Sequence, residues 1–131
     1  MTRSLNLVVY MALLTWLMLL LAGLIKARGW TPQGFLLALG NRENMPAASA
    51  MAGRVSRAAS NTLENFVLFA ALVLVAHAAG APESRVALGA EVFFWARLVY
   101  IPVYWAGVAY LRTAVWAVSI AGLAIIVSAL L

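Results

Sequence analysis

The sequence contains no cysteine, and only four of its 131 residues are acidic. The absence of cysteine excludes disulfide bonds, thiolate metal sites and a catalytic cysteine of the chain itself. Any thiol chemistry must therefore use a thiol that comes from outside the protein. Only 10% of the residues are charged, whereas soluble domains carry about a quarter, so an ordinary soluble domain is not expected.

Hydrophobic residues make up 66% of the sequence, and the formal net charge is +5. In so apolar a chain we interpret the positive charge as a signal for orientation in a membrane and for contact with anionic lipids. The sequence shows no base-reading motif and no basic groove interleaved with aromatic residues. We therefore expect membrane lipids, and no nucleic acid, among the partners.

Four segments are long and apolar enough to cross a bilayer as helices, which requires about 20 residues each. They are residues 5–25, about 58–79, about 86–105 and about 113–131. The first segment is too long for the apolar region of a signal peptide and has no clean cleavage site, so we interpret it as a retained span. The chain is thus predicted to be a single all-α membrane domain with four spans.

The only long predicted connection is the first loop, from Lys26 to about Ala47, which glycines and prolines interrupt. The second helix is predicted to begin before the membrane, near Pro46. Positive charges are concentrated in the first loop, and Arg112 lies in the third, predicted as Gly107 to Arg112. This bias places both loops in the cytoplasm and both termini in the periplasm, as expected for a multi-pass protein of the inner membrane.

The second predicted span begins with polar side chains where a lipid-facing helix would carry apolar ones. Four of these side chains follow one another at intervals of three, four and three residues, so they share one helical face. They are Arg54, Arg57, Asn61 and Glu64. A capping box formed by Asn61 and Glu64 is one local explanation, but it does not account for the two arginines.

The third predicted span repeats this pattern, because Arg97, Tyr100 and Tyr104 are spaced by three and four residues. Arg97 lies about 12 Å before the end of this span at Trp105. A charge at that depth is costly and persists only with a partner or in a wet cavity. Since Glu64 has the opposite sign and a comparable depth, we expect a Glu64–Arg97 ion pair, which is either purely structural or part of a binding site.

Together the two polar faces describe a cationic, hydrogen-bonding pocket that opens toward the cytoplasm. Arginine suits carboxylates, asparagine and glutamate suit amides and an ammonium group, and tyrosine offers stacking or a neutral polar contact. This combination favours a small zwitterionic, peptide-like ligand. His77, at the far end of its helix, is interpreted as interfacial or hydrogen-bonded and not as catalytic. Glu91 faces away from Arg97 and has no assigned role.

Two sequence blocks resemble the MAPEG family, the membrane-associated proteins in eicosanoid and glutathione metabolism. The first block is RAxxNxxENF, which starts at Arg57. The second is ARLxYxxxY, which starts at Ala96 and is followed by Leu111-Arg112. The similarity extends over nearly the whole chain, including the long first loop, and is greatest to small bacterial members.

This resemblance implies a homotrimeric four-helix membrane bundle that binds glutathione between its subunits, near the cytosolic face. It also implies that Arg112 holds the glutathione thiol as its thiolate, and that Arg28 reaches the site from a neighbouring subunit. The other glutathione-binding residues that the resemblance implies are Arg57, Asn61, Glu64, Arg97, Tyr100 and Tyr104. No metal site is expected.

Three functions stay open at this point. The first is a glutathione-dependent transferase or peroxidase that acts on hydrophobic electrophiles or lipid hydroperoxides, which would enter from the bilayer. The second is a small transporter or proton-relay protein that uses Glu64, Arg97 and Glu91, although four short, unbroken spans disfavour it. The third is a glutathione-binding or lipid-binding subunit that has lost its catalytic activity.

Overall fold

The apolar runs of the sequence fold into long helices that pack side by side. The computed structural model describes residues 1–40 and 49–131, and within them it contains helices and no strand. The helices are α1 (Arg3–Ala27), α2 (Pro32–Leu39), α3 (Ala50–Ala78), α4 (Glu83–Trp105) and α5 (Ala109–Leu130). Of these, α1, α3, α4 and α5 are long and apolar enough to cross a membrane. The predicted all-α architecture with four long apolar helices is therefore confirmed.

The first loop differs from the prediction, because it contains the short helix α2. The Oγ1 atom of Thr31 accepts a hydrogen bond from the backbone N–H of Gly34 at 3.0 Å, and Pro32 occupies the first turn, where its missing N–H costs nothing. A Cβ on Gly34 would lie 2.3 Å from the Ala27 carbonyl oxygen, so α2 packs directly on the end of α1. The predicted start of the second helix near Pro46 lies outside the described residues.

The third loop is shorter than predicted. Gly107, at φ 77°, makes the turn after α4, and α5 begins at Ala109, so residues 109–112 are helical. Arg112 consequently projects from the first turn of α5 and not from a loop. This start of α5 brings Arg112 beside the end of α4.

At the end of the bundle away from the third loop, acidic residues of α4 hold the start of α1. One oxygen of Glu83 accepts a hydrogen bond from the backbone N–H of Ser4 at 3.0 Å, and the other accepts one from the Ser4 hydroxyl at 2.9 Å. Glu91, which had no role in the sequence analysis, forms an ion pair with Arg3 and also accepts a hydrogen bond from the indole of Trp95. These contacts give Glu91 a structural role in joining α1 to α4.

The core lies between the four long helices, and α4 and α5 make its closest helix contact. The rings of Phe69 on α3 and Phe93 on α4 stack with their centres 4.3 Å apart. Where α4 meets α5, a Cβ on Gly122 would lie only 2.7 Å from the Gly89 carbonyl oxygen and 2.7 Å from the Phe93 backbone nitrogen. The two backbones touch at this point, which is the kind of approach that small residues permit in membrane bundles.

We expect Gly122→Ala to destabilise the protein by about 1–3 kcal/mol, because the added methyl group must push α5 away from α4. The measurement is thermal unfolding in mild detergent. Gly40→Ala is the matched control, since a Cβ there would lie 3.5 Å from the Leu36 carbonyl oxygen, which is an ordinary contact distance. Equal melting temperatures for the two variants would contradict the close contact between the helices.

Candidate functional site

The beginning of α3 carries most of the polar residues that line a surface pocket. Ser49 caps this helix by accepting a hydrogen bond from the backbone N–H of Ala52 at 3.1 Å. The pocket has a volume of about 290 Å³. Its lining residues are Ser56, Arg57, Ser60, Asn61, Glu64 and Tyr104. We call it the polar pocket, because it combines a cation, an anion and several neutral hydrogen-bonding groups.

Helix α4 is joined to the polar pocket through Tyr104. The Nε of Arg57 donates a hydrogen bond to the Tyr104 hydroxyl at 3.3 Å, which orients both side chains. The ring of Tyr104 contacts that of Tyr100 edge to face, with the centres 5.5 Å apart. Both tyrosines are buried at less than 9% exposure, and Tyr104 contacts Arg57 of α3 on one side and Arg112 of α5 on the other.

A second pocket of about 230 Å³ lies between α3, α4 and α5. We call it the aromatic pocket, and its lining residues are Asn61, Tyr100, Arg112, Thr113 and Trp116. The guanidinium carbon of Arg112 lies 4.7 Å from the centre of the Tyr104 ring, in a cation–π contact. Asn61 lines both pockets, so the two pockets adjoin one another.

Arg97 is fully buried behind these pockets. Its Nη2 donates hydrogen bonds to Asn61 Oδ1 at 2.9 Å and to Thr62 Oγ1 at 2.8 Å. The guanidinium carbon also lies 4.0 Å from the centre of the Tyr100 ring. Within residues 1–40 and 49–131, its Nε and Nη1 atoms find no hydrogen-bond partner. In the part of the chain that the structure describes, this buried positive charge is hydrogen-bonded only to neutral groups.

The expected ion pair between Glu64 and Arg97 is therefore wrong. Arg97 is bonded to neutral oxygens of α3, whereas Glu64 is exposed and lines the polar pocket. The reason is the rotation of α3 about its axis, which turns Thr62 and Asn65 toward the interior. Glu64 lies outside this buried stripe, on the exposed side of α3.

Arg54 shares a helical face with Arg57 in the sequence, but it has a different role in the structure. Its Nε donates a hydrogen bond to the Trp105 carbonyl oxygen at 2.9 Å. This oxygen is one of the last carbonyls of α4, which lack partners within the helix, and a cation is favourable there. Arg54 thus holds the end of α4 and does not line the polar pocket.

The MAPEG family model matches residues 4–131, which is nearly the entire chain. The chain belongs to the MAPEG family. No curated protein and no solved structure matches it. MAPEG membership, together with the four long apolar helices, establishes a multi-pass membrane protein with a four-helix bundle, and it supports a glutathione-related function of the transferase or peroxidase type.

Most of the site residues that the MAPEG resemblance implied come together in this one chain. Arg57, Asn61, Glu64 and Tyr104 line the polar pocket, and Asn61, Tyr100 and Arg112 line the aromatic pocket. Arg28 does not join them. It lies after α1, beside Thr31 and Gly34 of the first loop, and has a left-handed backbone conformation with φ 53°. Its role, which the resemblance assigned to a neighbouring subunit, stays a prediction.

Sequence reasoning missed several residues of this MAPEG site. Ser56 and Ser60 precede Glu64 at intervals of four residues, so helical spacing alone could have placed them on the same face. The sequence offered no pattern that would place Thr113 and Trp116 in the site, because they follow Arg112 in a segment with the composition of an ordinary apolar span. Outside the two pockets, sequence reasoning also missed Thr62, a buried hydrogen-bond partner of Arg97, because it lies off the polar face of α3.

The polar pocket fits the chemistry of glutathione, a zwitterionic tripeptide with a thiol. Arg57 is exposed and offers N–H donors to a carboxylate, and the exposed Glu64 carboxylate suits an ammonium group. Asn61, Ser56 and Ser60 add neutral groups of the kind that bind a peptide backbone. Arg112 supplies a further cation in the adjoining aromatic pocket.

Proposed function

We propose that this protein is a membrane glutathione-dependent transferase or peroxidase that acts on hydrophobic electrophiles or lipid hydroperoxides. The observation that carries the proposal is the junction of the two pockets at Asn61, which lines both, beside the contact of Arg112 with the ring of Tyr104. One pocket carries the opposite charges that a zwitterionic peptide needs. The other pocket contains Arg112, which is suited to stabilising an anion, and its aromatic walls are suited to admitting an apolar molecule.

The positions of the residues support the following proposed roles. Arg57, fixed by its hydrogen bond to Tyr104, binds a carboxylate, and Glu64 binds the ammonium group. Arg112 lines the aromatic pocket and lies over the ring of Tyr104, which lines the polar pocket, so it is proposed to stabilise the thiolate. Bound glutathione would supply a thiol, whose pKa of about 8.5 in water falls beside a cation, so that more nucleophilic thiolate is present near neutral pH.

The hydrophobic partner is proposed to enter from the bilayer. Trp116 is 38% exposed at the edge of the aromatic pocket. Beyond it, α5 presents apolar side chains such as Val118, which is half exposed. An apolar electrophile dissolved in the lipid could thus reach Arg112 without crossing water. We also propose that the protein resides in the inner membrane, with its first and third loops in the cytoplasm.

The alternative of a proton relay through Glu64, Arg97 and Glu91 has little structural support. Glu91 is bound to Arg3 and Trp95. Arg97 is bound to Asn61 and Thr62. These contacts are separate clusters, so the described residues form no continuous chain of acidic and basic groups.

A direct test is a titration of the purified protein with glutathione, followed by the ultraviolet absorbance of the thiolate. We expect thiolate to form at a pH where free glutathione is largely protonated. Absence of any thiolate signal, together with absence of binding by calorimetry, would contradict the proposal. Binding without a thiolate signal would favour a glutathione-binding subunit that does not catalyse.

We further predict a homotrimer, in which Arg28 of one subunit reaches the polar pocket of the next. The pocket lies at the surface of the single chain, and its lining includes the small side chains of Ser56 and Ser60, which allow another helix to approach closely. Native mass spectrometry in mild detergent should show three copies. A stable monomer that still binds glutathione would refute both the trimer and the role of Arg28.

A further inference from the structure

The side-chain amide of Asn61 lies between a buried cation and the two pockets. Its Oδ1 lies 2.9 Å from Nη2 of Arg97. A guanidinium group has only donors, so the atom of Asn61 that faces Arg97 must be the oxygen. The orientation of the amide therefore follows from the chemistry of its neighbour.

A second neighbour, Asn65, requires the same orientation of the Asn61 amide. Its Nδ2 lies 2.9 Å from the backbone carbonyl oxygen of Asn61 and 3.2 Å from Asn61 Oδ1. Because a carbonyl oxygen only accepts hydrogen bonds, the NH2 group of Asn65 must be the part that faces Asn61. Asn61 Oδ1 thus accepts from two donors, and rotating the amide would place its NH2 group against both of them.

We propose that Arg97 and Asn65 are positioning residues, which hold Asn61 so that its Nδ2 donates a hydrogen bond to an oxygen of the bound ligand. The identity of this ligand as glutathione rests on the proposed function. With Oδ1 held by Arg97 and Asn65, the NH2 group is the polar part of Asn61 left for the pockets that this residue lines. Arg97, which is fully buried, acts through Asn61 and does not touch the ligand.

With the amide of Asn61 held in this orientation, the hydrogen-bonding character of three successive groups along α3 is defined. Arg57 and Asn61 are donors and Glu64 is an acceptor, and they are separated by rises of about 6 Å and about 4.5 Å along the helix. A matching ligand presents a carboxylate to Arg57, a carbonyl oxygen to Asn61 and an ammonium group to Glu64. An extended short peptide with a carboxylate at one end and an ammonium group near the other has this arrangement.

The decisive variant is Asn61→Asp, which keeps the size of the side chain and replaces its NH2 group by oxygen. The new carboxylate still accepts from Arg97 and Asn65, and it gives the buried guanidinium an opposite charge. We therefore expect the melting temperature in mild detergent to rise by a few degrees. In the pocket, however, an oxygen now faces the oxygen of the ligand, so the affinity for glutathione should fall by at least about tenfold.

Thr62→Val is the matched control. Thr62 accepts a hydrogen bond from the same Nη2 of Arg97 at 2.8 Å, is fully buried and does not line either pocket. This variant should lower the melting temperature, because Arg97 loses a partner, and should leave the affinity for glutathione nearly unchanged. Asn61→Asp is thus expected to raise stability and lower affinity, whereas Thr62→Val is expected to lower stability and leave affinity nearly unchanged.

Asn65→Ala tests whether Asn65 acts only through Asn61. In the wild-type background it should weaken glutathione binding, because the amide loses one of the two groups that hold it. In the Asn61→Asp background it should have no further effect on affinity, since the donor is already absent. Equal losses of affinity in the two backgrounds would overturn the positioning role of Asn65.

Two further results would overturn the orientation of the amide. One is an Asn61→Asp protein that binds glutathione as tightly as wild type, and the other is an Asn61→Asp protein with a lower melting temperature. If the wild-type protein itself binds no glutathione, the proposed function is wrong and the ligand role of Asn61 is wrong with it. The melting temperatures of Asn61→Asp and Thr62→Val then still decide how the amide is held.

Discussion

Replacing Arg112 by alanine is expected to lower turnover with a hydrophobic electrophile at pH 7 by about tenfold or more. The reason is that each unit of change in the thiol pKa changes the ratio of thiolate to thiol tenfold. Arg112 lines the aromatic pocket and stands over the Tyr104 ring at its junction with the polar pocket. Removing its charge destabilises the thiolate, and the thiol pKa should rise back toward about 8.5. Binding of glutathione should change little, because the polar pocket stays intact.

The direction of the pH effect follows from this rise in the thiol pKa. Below the new pKa the variant has less thiolate than wild type, and above it the two proteins have similar amounts. The rate of Arg112→Ala should therefore recover partly as the pH is raised. The measurement is the pH–rate profile of the variant beside wild type, and Arg85→Ala, an exposed arginine at the start of α4, serves as the control.

Identical apparent pKa values and plateau rates for Arg112→Ala and wild type would contradict the proposed role of Arg112. In that case Arg112 serves only to orient the protein at the membrane surface, where arginine commonly extends its charge into water. The thiolate would then have to be stabilised by other groups, such as Arg57 and Tyr104, which are hydrogen-bonded to each other in the polar pocket.

Arg57→Ala is expected to weaken glutathione binding by about 10- to 100-fold, the equivalent of losing a hydrogen bond to a charged group. Arg57 is exposed in the polar pocket, and its orientation is set by its hydrogen bond to the Tyr104 hydroxyl at 3.3 Å. Glu64→Gln should weaken binding for the corresponding reason, because it removes the anion that faces the ammonium group. Both affinities can be measured by calorimetry on the purified protein.

Arg54→Gln is the matched control for Arg57→Ala, since the two arginines lie one turn apart on α3. Arg54 donates to the Trp105 carbonyl oxygen and does not line the polar pocket. Its replacement should lower the melting temperature and leave the affinity for glutathione nearly unchanged. If Arg57→Ala and Glu64→Gln also bind glutathione with wild-type affinity, the polar pocket is not the binding site.

Composition, length and local spacing were enough to determine the class of this protein. Four apolar runs of about 20 residues require helices in a membrane, because every backbone polar group must find its partner within the segment. The two blocks of polar residues were sufficient to identify the MAPEG family, which the match over residues 4–131 confirms. The lack of cysteine likewise showed that any thiol must come from a second molecule.

Which polar residues face inward was decided only by the tertiary structure. The spacing of Asn61 and Glu64 defines their relative angles on a helix, but it does not define how α3 is rotated against α4. In the structure that rotation buries Thr62 and Asn65 and leaves Glu64 exposed. The predicted partner of Arg97 was therefore wrong, although the positions of both charges had been recognised.

Contacts between distant segments could not be predicted from the sequence either. Arg54 finds its partner at Trp105, and Gly34 is buried against the end of α1 because α2 packs there. The polar and aromatic pockets meet only because α3, α4 and α5 pack together around Asn61 and Tyr104. Helical periodicity acts within one segment, whereas these arrangements depend on how the segments rotate and pack against each other, and that is a property of the folded bundle.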